Sequence, residues 1–454
     1  MAQKSLNDGI VCFACFVRPT VQRQLLDWLA PRVPMDIEAA FRSKASSRDP
    51  RLDVARGLAL VVIFAAHMPQ NPLWHLMPGR FGFSDSAEIF VFCSGMAAAL
   101  AFGRIYDVQG WLLGTARVLF RIWQIYWAHI GVFLAVVAMN VKFDLWSGTG
   151  TLFVESMRLK PFLDSYTGEA LVGLLTLGYV PNYFDILPLY MIVLLLVPLV
   201  MALAQLRQGL WLVLVLVLGL WSVAEAGFLE LAATPWNDRR WFFNPFSWQL
   251  LFFIGFALAR GWLPAPPRDR RLMLAAIAFL IASLPIAWEP LASRIGYSPA
   301  FLHHLAQLTD KTHLGALRVA HFAALAYVAF VLAGESGRNL IGSVSRGLQV
   351  LGRETLSVFV AGLMLSMLGG YILYLTSIAG WAVLLVNVGG VAILYAVAVT
   401  AGWFKSAPWK ATPRTTVGEG RVADAMKPMP AAVAIPVTVA CSDAEPGQQA
   451  GPLV

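Results

Sequence analysis

The sequence predicts an all-α polytopic membrane protein of about ten transmembrane helices with both termini in the cytoplasm, and three observations lead there. The first is composition. Of 454 residues, 58% are hydrophobic and only 13% charged, and the mean hydropathy is +0.66, more apolar than the mixed surface of a soluble domain allows. The second is the recurrence of long apolar runs at 52–68, 87–105, 118–141, 186–206, 210–224, 245–259, 272–288, 314–333, 356–378 and 381–403. Those near 20 residues are long enough to cross a bilayer, and the shorter ones need flanking residues to complete the crossing. They lack the alternation of a barrel strand, and only helices and closed barrels satisfy backbone groups in lipid. The third is charge. The net charge of +8 suggests nucleic acid only until its source is located, because the basic residues gather in alternate connections.

Residues 1–50 form an N-terminal segment carrying Arg18, Arg23, Arg32, Arg42, Lys44 and Arg48, expected to be a cytoplasmic surface segment with a short amphipathic helix at 21–29. Its Cys12 and Cys15 lack the second ligand pair of a zinc site, and Cys93 and Cys441 are isolated, so neither metal nor disulfide is assigned. The stretch at 10–17 is too short for a signal peptide. A transmembrane domain is expected over 51–404. Its first helix carries Asp53, Arg56 and His67. Eleven residues are close to three turns, so Arg56 and His67 share a face roughly 16 Å apart along the axis, with Asp53 three residues further back. Ionisable groups at membrane depth usually face the interior or a water-filled cavity and mark function.

Three prolines, Pro69, Pro72 and Pro78, bar a regular helix after His67. The next helix opens with Ser84 or Asp85 as cap and Glu88 in its first turn, where a carboxylate suits the dipole. Either carboxylate could instead partner His67. The basic connections continue with Arg104, Arg117 and Arg121, then Arg260, Arg268, Arg270 and Arg271, then Arg338, Arg346 and Arg353. The opposite face holds the long loops 142–185, 225–244 and 289–313. They carry Asp185 with Tyr179 and Tyr183, then Trp236, Trp241 and Arg239, then Asp310, Lys311 and His313. Aromatic rings beside Asp and Asn suit sugars, which present apolar faces and hydroxyls, although an interfacial aromatic belt has the same composition. The apolar piece at 170–180 is too short to cross. Residues 405–454 lose periodicity and read as a disordered cytoplasmic tail.

No GxSxG elbow, Walker loop, GxGxxG turn or HExxH pair occurs, and none of the seven histidines is followed five positions later by aspartate. His129 and His321 lie within spans without haem spacing. What remains is a histidine at a helix end, an arginine three turns below and carboxylates nearby. Neutral histidine can take a proton from a hydroxyl, and arginine offers a fork for phosphate or carboxylate. Together they suit acyl transfer to an alcohol. Ser84, Ser86 and Ser94 are candidate nucleophiles for a covalent route, but none has an activating partner at defined spacing.

Residues 51–67 and 81–95 resemble the OpgC family, within the wider membrane acyltransferase three superfamily. The superfamily's arginine, ten residues and histidine are matched by Arg56 and His67, and its FF-x-x-SG segment loosely by Phe90 to Gly95. The OpgC flavour comes from GFSDSAE (82–88), FDILPLY (184–190), FNPFSWQLLFFIGF (243–256), KTHLGALRVAHFAAL (311–325) and LGRETLSVF (351–359). The resemblance spans residues 51–400. It implies a multi-pass protein of the bacterial inner membrane that succinylates osmoregulated periplasmic glucans at glucose hydroxyls. No cofactor is permanently bound, and succinyl-CoA is the cytoplasmic acyl donor. The expected partners are acyl-CoA, the glucan and membrane lipids, with no nucleic acid and a homo-oligomer left open. On this expectation His67 is the general base, oriented by Glu88 or Asp85, while Arg56 and Asp53 hold the donor. The substrate contacts are Lys311, His313, Arg318, Asp185 and Trp241, and Lys311 and Arg318 could equally mark a helix boundary. The alternatives are acylation of another envelope glycan and a glucan or anion transporter, although no inverted repeat is evident.

Overall fold

The computed structural model describes residues 49–410. The expected N-terminal segment with its helix at 21–29, Cys12 and Cys15, and the tail beyond 410 with Cys441, lie outside the described residues. The contacts divide the chain after Ser406. Beyond that point the described residues hold a single 3-10 turn, Pro408–Lys410.

Up to Ser406 every regular element among the described residues is helical. The first is α1 (Pro50–His67), followed by 3-10 turns at Pro72–Leu76 and Pro78–Arg80 where the prolines forbid a helix. Helix α2 (Ser86–Ser147) is 62 residues long and merges two of the expected runs across a break at Gly110, whose φ of 84° and ψ of 176° are non-helical. Short helices α3 (Leu152–Ser156), α4 (Lys160–Leu163) and α5 (Thr167–Leu175) follow. Then come α6 (Ile186–Ala204), α7 (Gly209–Glu225), α8 (Pro245–Arg260) and α9 (Arg270–Ala287). Two more short helices, α10 (Glu289–Ile295) and α11 (Pro299–Leu308), precede α12 (Ala316–Ala333). The chain continues with α13 (Ser343–Arg353), α14 (Thr355–Leu375) and α15 (Gly380–Leu384). A π-turn at Leu385–Gly389 then leads into α16 (Gly390–Ser406).

Six of these helices or helix pairs are long and apolar enough to cross a membrane: α2, α6, α9, α12, α14 and α15–α16. The chain is therefore a membrane protein. The sequence splits α2 into two elements because 106–117 interrupts the apolar runs with Asp107, Gln109, Gly110 and Arg117. At Gly110 one helix ends and a second begins: the Tyr106 hydroxyl lies 3.3 Å from Thr115 Oγ1, a contact that residues nine apart in a continuous helix cannot make, so the two expected elements stand as the two halves of α2.

The core that positions the site is closed by small residues at helix crossings. A Cβ on Gly352 of α13 would sit 1.9 Å from the Asp53 carbonyl oxygen, and one on Gly57 of α1 would sit 2.0 Å from that of Leu348. The two backbones touch, as membrane helices do where glycine removes the side chain. At one end of the bundle three connections are stitched together by main-chain bonds. Val180 N donates to Ala233 O at 2.9 Å, Ala233 N to Arg239 O at 2.7 Å and Asn244 N to Thr312 O at 3.0 Å. Indole N–H groups of buried Trp248 and half-buried Trp221 pin the third connection, Trp248 to Lys311 O at 2.9 Å and Trp221 to Leu314 O at 3.1 Å.

Candidate active site

His67 is the last residue of α1, and its ring lies 4.8 Å from that of Tyr183 at the stitched end of the bundle. It is half-buried and makes no hydrogen bond to Asp85 or Glu88. Lys311 and Asp85 are within electrostatic range of it. Asp85 and Glu88 close a capping box on α2: Asp85 Oδ1 accepts from Ala87 N at 2.8 Å, and Glu88 Oε2 accepts from Asp85 N at 2.7 Å. A box of this kind satisfies the first N–H groups of a helix reciprocally. The remaining oxygens face cations from the third connection and from the first turn of α12. Lys311 Nζ lies 2.5 Å from Asp85 Oδ2, Arg318 Nη2 lies 3.3 Å from the same oxygen, and Arg318 Nε pairs with Glu88 Oε1.

The expectation that one carboxylate directly orients His67 is therefore not met in this geometry, because capping and ion pairing occupy both. The cap and partner readings of Asp85 are joined: it caps α2 and also holds Lys311. Burial raises the Asp85 pKa, but Lys311 and Arg318 outweigh it and bring the group to about 2. Lys311 also sits over the Phe242 and Phe243 rings, at 5.5 Å and 5.4 Å. Asp185, the residue before α6, is buried in the same region. Its pKa is pushed up to about 7 by burial, against the pull of Arg239 and Lys311.

His313 and Trp241 belong to the framework of this end. His313 Nδ1 is 2.8 Å from Asp310 Oδ2, and its Nε2 is 3.3 Å from Glu230 Oε1, which tie the third connection to the second. Trp241 is buried, and its indole N–H donates to Ala232 O at 3.0 Å. It offers no surface to a ligand.

At the other end of α1, Arg56 Nη2 bonds buried Asp53 Oδ1 at 2.5 Å, and Arg353 Nε reaches Asp53 Oδ2 at 3.4 Å. The Arg56 Nε is buried without a protein partner, whereas the Arg353 side chain is half exposed. Arg353 lies in the LGRETLSVF stretch, but its pairing 300 residues away from Asp53 has no signature in spacing. Between the two ends Phe90, Ser94, Tyr190 and Phe252 line a small apolar cavity.

Ser84, which lacked a partner by spacing, shares a 2.7 Å hydrogen bond with His321 Nδ1. Both side chains are buried, and the ring packs against Gly82, so the pair reads as a clasp on the chain leading into α2. His129 is buried with neither ring nitrogen bonded to protein. No cluster of His, Cys, Asp and Glu suited to a metal occurs among the described residues.

A family model described as OpgC protein matches residues 48–406. No curated protein and no solved structure gives a match. The family match covers most of the chain and includes both ends of α1 and the ion-paired start of α2. The chain belongs to the OpgC protein family.

Proposed function

We propose that this protein is a membrane O-acyltransferase that moves a succinyl group from cytoplasmic succinyl-CoA to glucose hydroxyls of osmoregulated periplasmic glucans. The observation that supports it best is the arrangement along α1. The buried Asp53–Arg56 pair stands at one end, and His67 stands at the other against a cluster of Lys311, Asp85, Glu88 and Arg318. Counting α1, the two halves of α2, α6, α7, α8, α9, α12, α14 and α15–α16 as crossings gives ten, with both termini cytoplasmic in a bacterial inner membrane. On that count the Arg56 end faces the cytoplasm and His67 the periplasm.

In this mechanism Arg56 and Arg353 hold the phosphates of the donor, and the thioester reaches towards His67. Neutral His67 removes the proton of a glucose hydroxyl as its oxygen attacks the thioester carbonyl. The C–S bond breaks, and the departing thiolate takes the proton from His67. Lys311, half-buried and paired with Asp85, holds the succinyl carboxylate in this mechanism. A second candidate for the base is His313, because Asp310 already holds its Nδ1. Purified protein incubated with succinyl-CoA and glucan should raise the glucan mass by one succinyl unit. His67→Gln should lower kcat by about 10²–10⁴, the usual loss of a general base, while His313→Gln keeps most of the activity. The reverse pattern would transfer the role to His313. No mass gain with folded wild-type protein would remove the proposal.

A further inference from the structure

Beside the candidate active site, at the same end of the bundle, a groove of about 180 Å³ opens among α3, α4 and the connections that follow α5 and α7. Three cations line it, Arg158, Lys160 and Arg239, against one carboxylate, Glu155. Glu155 is taken by Lys160 at 2.8 Å. Arg239 spends one nitrogen on the Val180 and Ala233 carbonyls. Burial and then the like charge of Arg158 hold its guanidinium below its ordinary pKa, against Asp185 behind it. Arg158 enters no ion pair among the described residues. It also sits at a φ of 57°, a costly backbone for a residue with a side chain. Its carbonyl is held there by the Tyr179 hydroxyl at 2.8 Å.

The other wall is aromatic, Trp236 with Tyr179 tilted 46° against it at 5.3 Å. Trp236 stacks on Tyr166 with centroids 4.8 Å apart and planes 7° from parallel, which fixes the indole. Asn237 beside it uses its Oδ1 for Thr234 and for Arg239 N, leaving its amide donors free of protein partners. A bare anion needs the guanidinium but neither the ring nor the amide. A neutral sugar needs the ring and the amide but not three cations.

We propose that this groove binds a saccharide unit carrying an anionic substituent, a phosphoryl or carboxylate group. The anion meets Arg158 with Lys160, and the pyranose lies against Trp236 with Asn237 donating to a hydroxyl. The inference rests on the acceptor being a glycan that arrives at this end. It makes the protein a reader of acceptor charge, seating a substituted unit of the chain while another unit reaches His67.

The test is binding without any acyl donor, so that it stands or falls apart from the transfer assay. The full chain is placed in phosphatidylcholine nanodiscs and titrated with glucose, glucose 6-phosphate and inorganic phosphate by saturation-transfer NMR. Wild-type protein should bind glucose 6-phosphate at least about tenfold tighter than glucose, the scale of one charge-assisted hydrogen bond. Arg158→Gln, at an exposed position where folding is not at risk, should bring that preference below about twofold on the same reasoning. Trp236→Leu should weaken both sugars. Equal affinity for glucose and glucose 6-phosphate in wild type overturns the proposal. So does phosphate binding as tightly as glucose 6-phosphate with Trp236→Leu silent, the behaviour of a site for a bare anion or a lipid headgroup.

Discussion

At the scale of single residues, the polar groups beside His67 differ in how they carry charge. Asp85 is paid for by two cations and stays ionised. Asp185 is buried with weaker compensation, and its pKa of about 7 lies far above the ordinary carboxylate value. A carboxyl whose folded pKa is raised adds stability that is full below the unfolded pKa. That stability is lost as pH rises through the folded pKa. The window for Asp185 therefore runs from about pH 4 to about pH 7, with the native state penalised at higher pH. Asp185→Asn keeps the shape and removes the titration. The melting temperature of the variant should draw level with or trail wild type at pH 5 and exceed it at pH 8, read by thermal unfolding in detergent. A difference that does not change with pH would mean that Asp185 does not titrate in this range. Asp85 carries the opposite sign, because its folded pKa is depressed. Its contribution is complete above the unfolded value near 4 and fades only as pH falls towards about 2.

At the scale of elements, the crossing of α1 and α13 decides where both ends of the proposed acyl path stand. Gly352 lies 1.9 Å, measured from a built Cβ, from the backbone of Asp53, the residue that holds Arg56. The obstacle is a carbonyl and not the tip of a flexible side chain, so Gly352→Ala must push the helices apart. Overpacking typically costs 1–3 kcal/mol, and about 2 kcal/mol or more is expected here. The melting temperature should drop, and the apparent affinity for acyl-CoA should weaken with it, since Asp53, Arg56 and Arg353 move with the crossing. A melting temperature equal to wild type would show that the helices are not in backbone contact.

Much of this level was legible in the sequence, because it is local. The apolar runs gave the helices to within a few residues, the prolines gave the turns after His67, and the Asp85–Glu88 spacing gave the capping box. The partners across the fold were not legible. Nothing in a sequence links Ser84 to His321, Glu88 to Arg318 or Asp53 to Arg353, pairs separated by more than 200 residues. Spacing reports only what lies within a turn or two of helix. The same limit explains why spacing alone leaves Asp85 and Glu88 free to orient His67: their cations come from more than 200 residues away.

At the scale of the whole molecule, the two ends of the bundle carry different chemistry, and the proposed reaction requires them to face different compartments. Tracing the ten proposed crossings from a cytoplasmic start puts the His67 end of α1, the start of α2, the start of α6 and the start of α12 on one side. The arginines Arg51, Arg260, Arg338 and Arg353 then fall on the other, as the positive-inside rule demands of loops near span ends. Ser165 in the first long connection and Ser343 at the start of α13 are both exposed, and the proposed crossings put them on opposite sides. In a background freed of its native cysteines, Ser165→Cys should react with a membrane-impermeant maleimide in intact cells whose outer membrane has been permeabilised. Ser343→Cys should react only after lysis. Labelling of Ser343→Cys in intact cells, or of both from one side, would put donor and acceptor in the same compartment. The acyl group would then have no need of the path along α1, and Arg56 and His67 would have to be explained by packing alone.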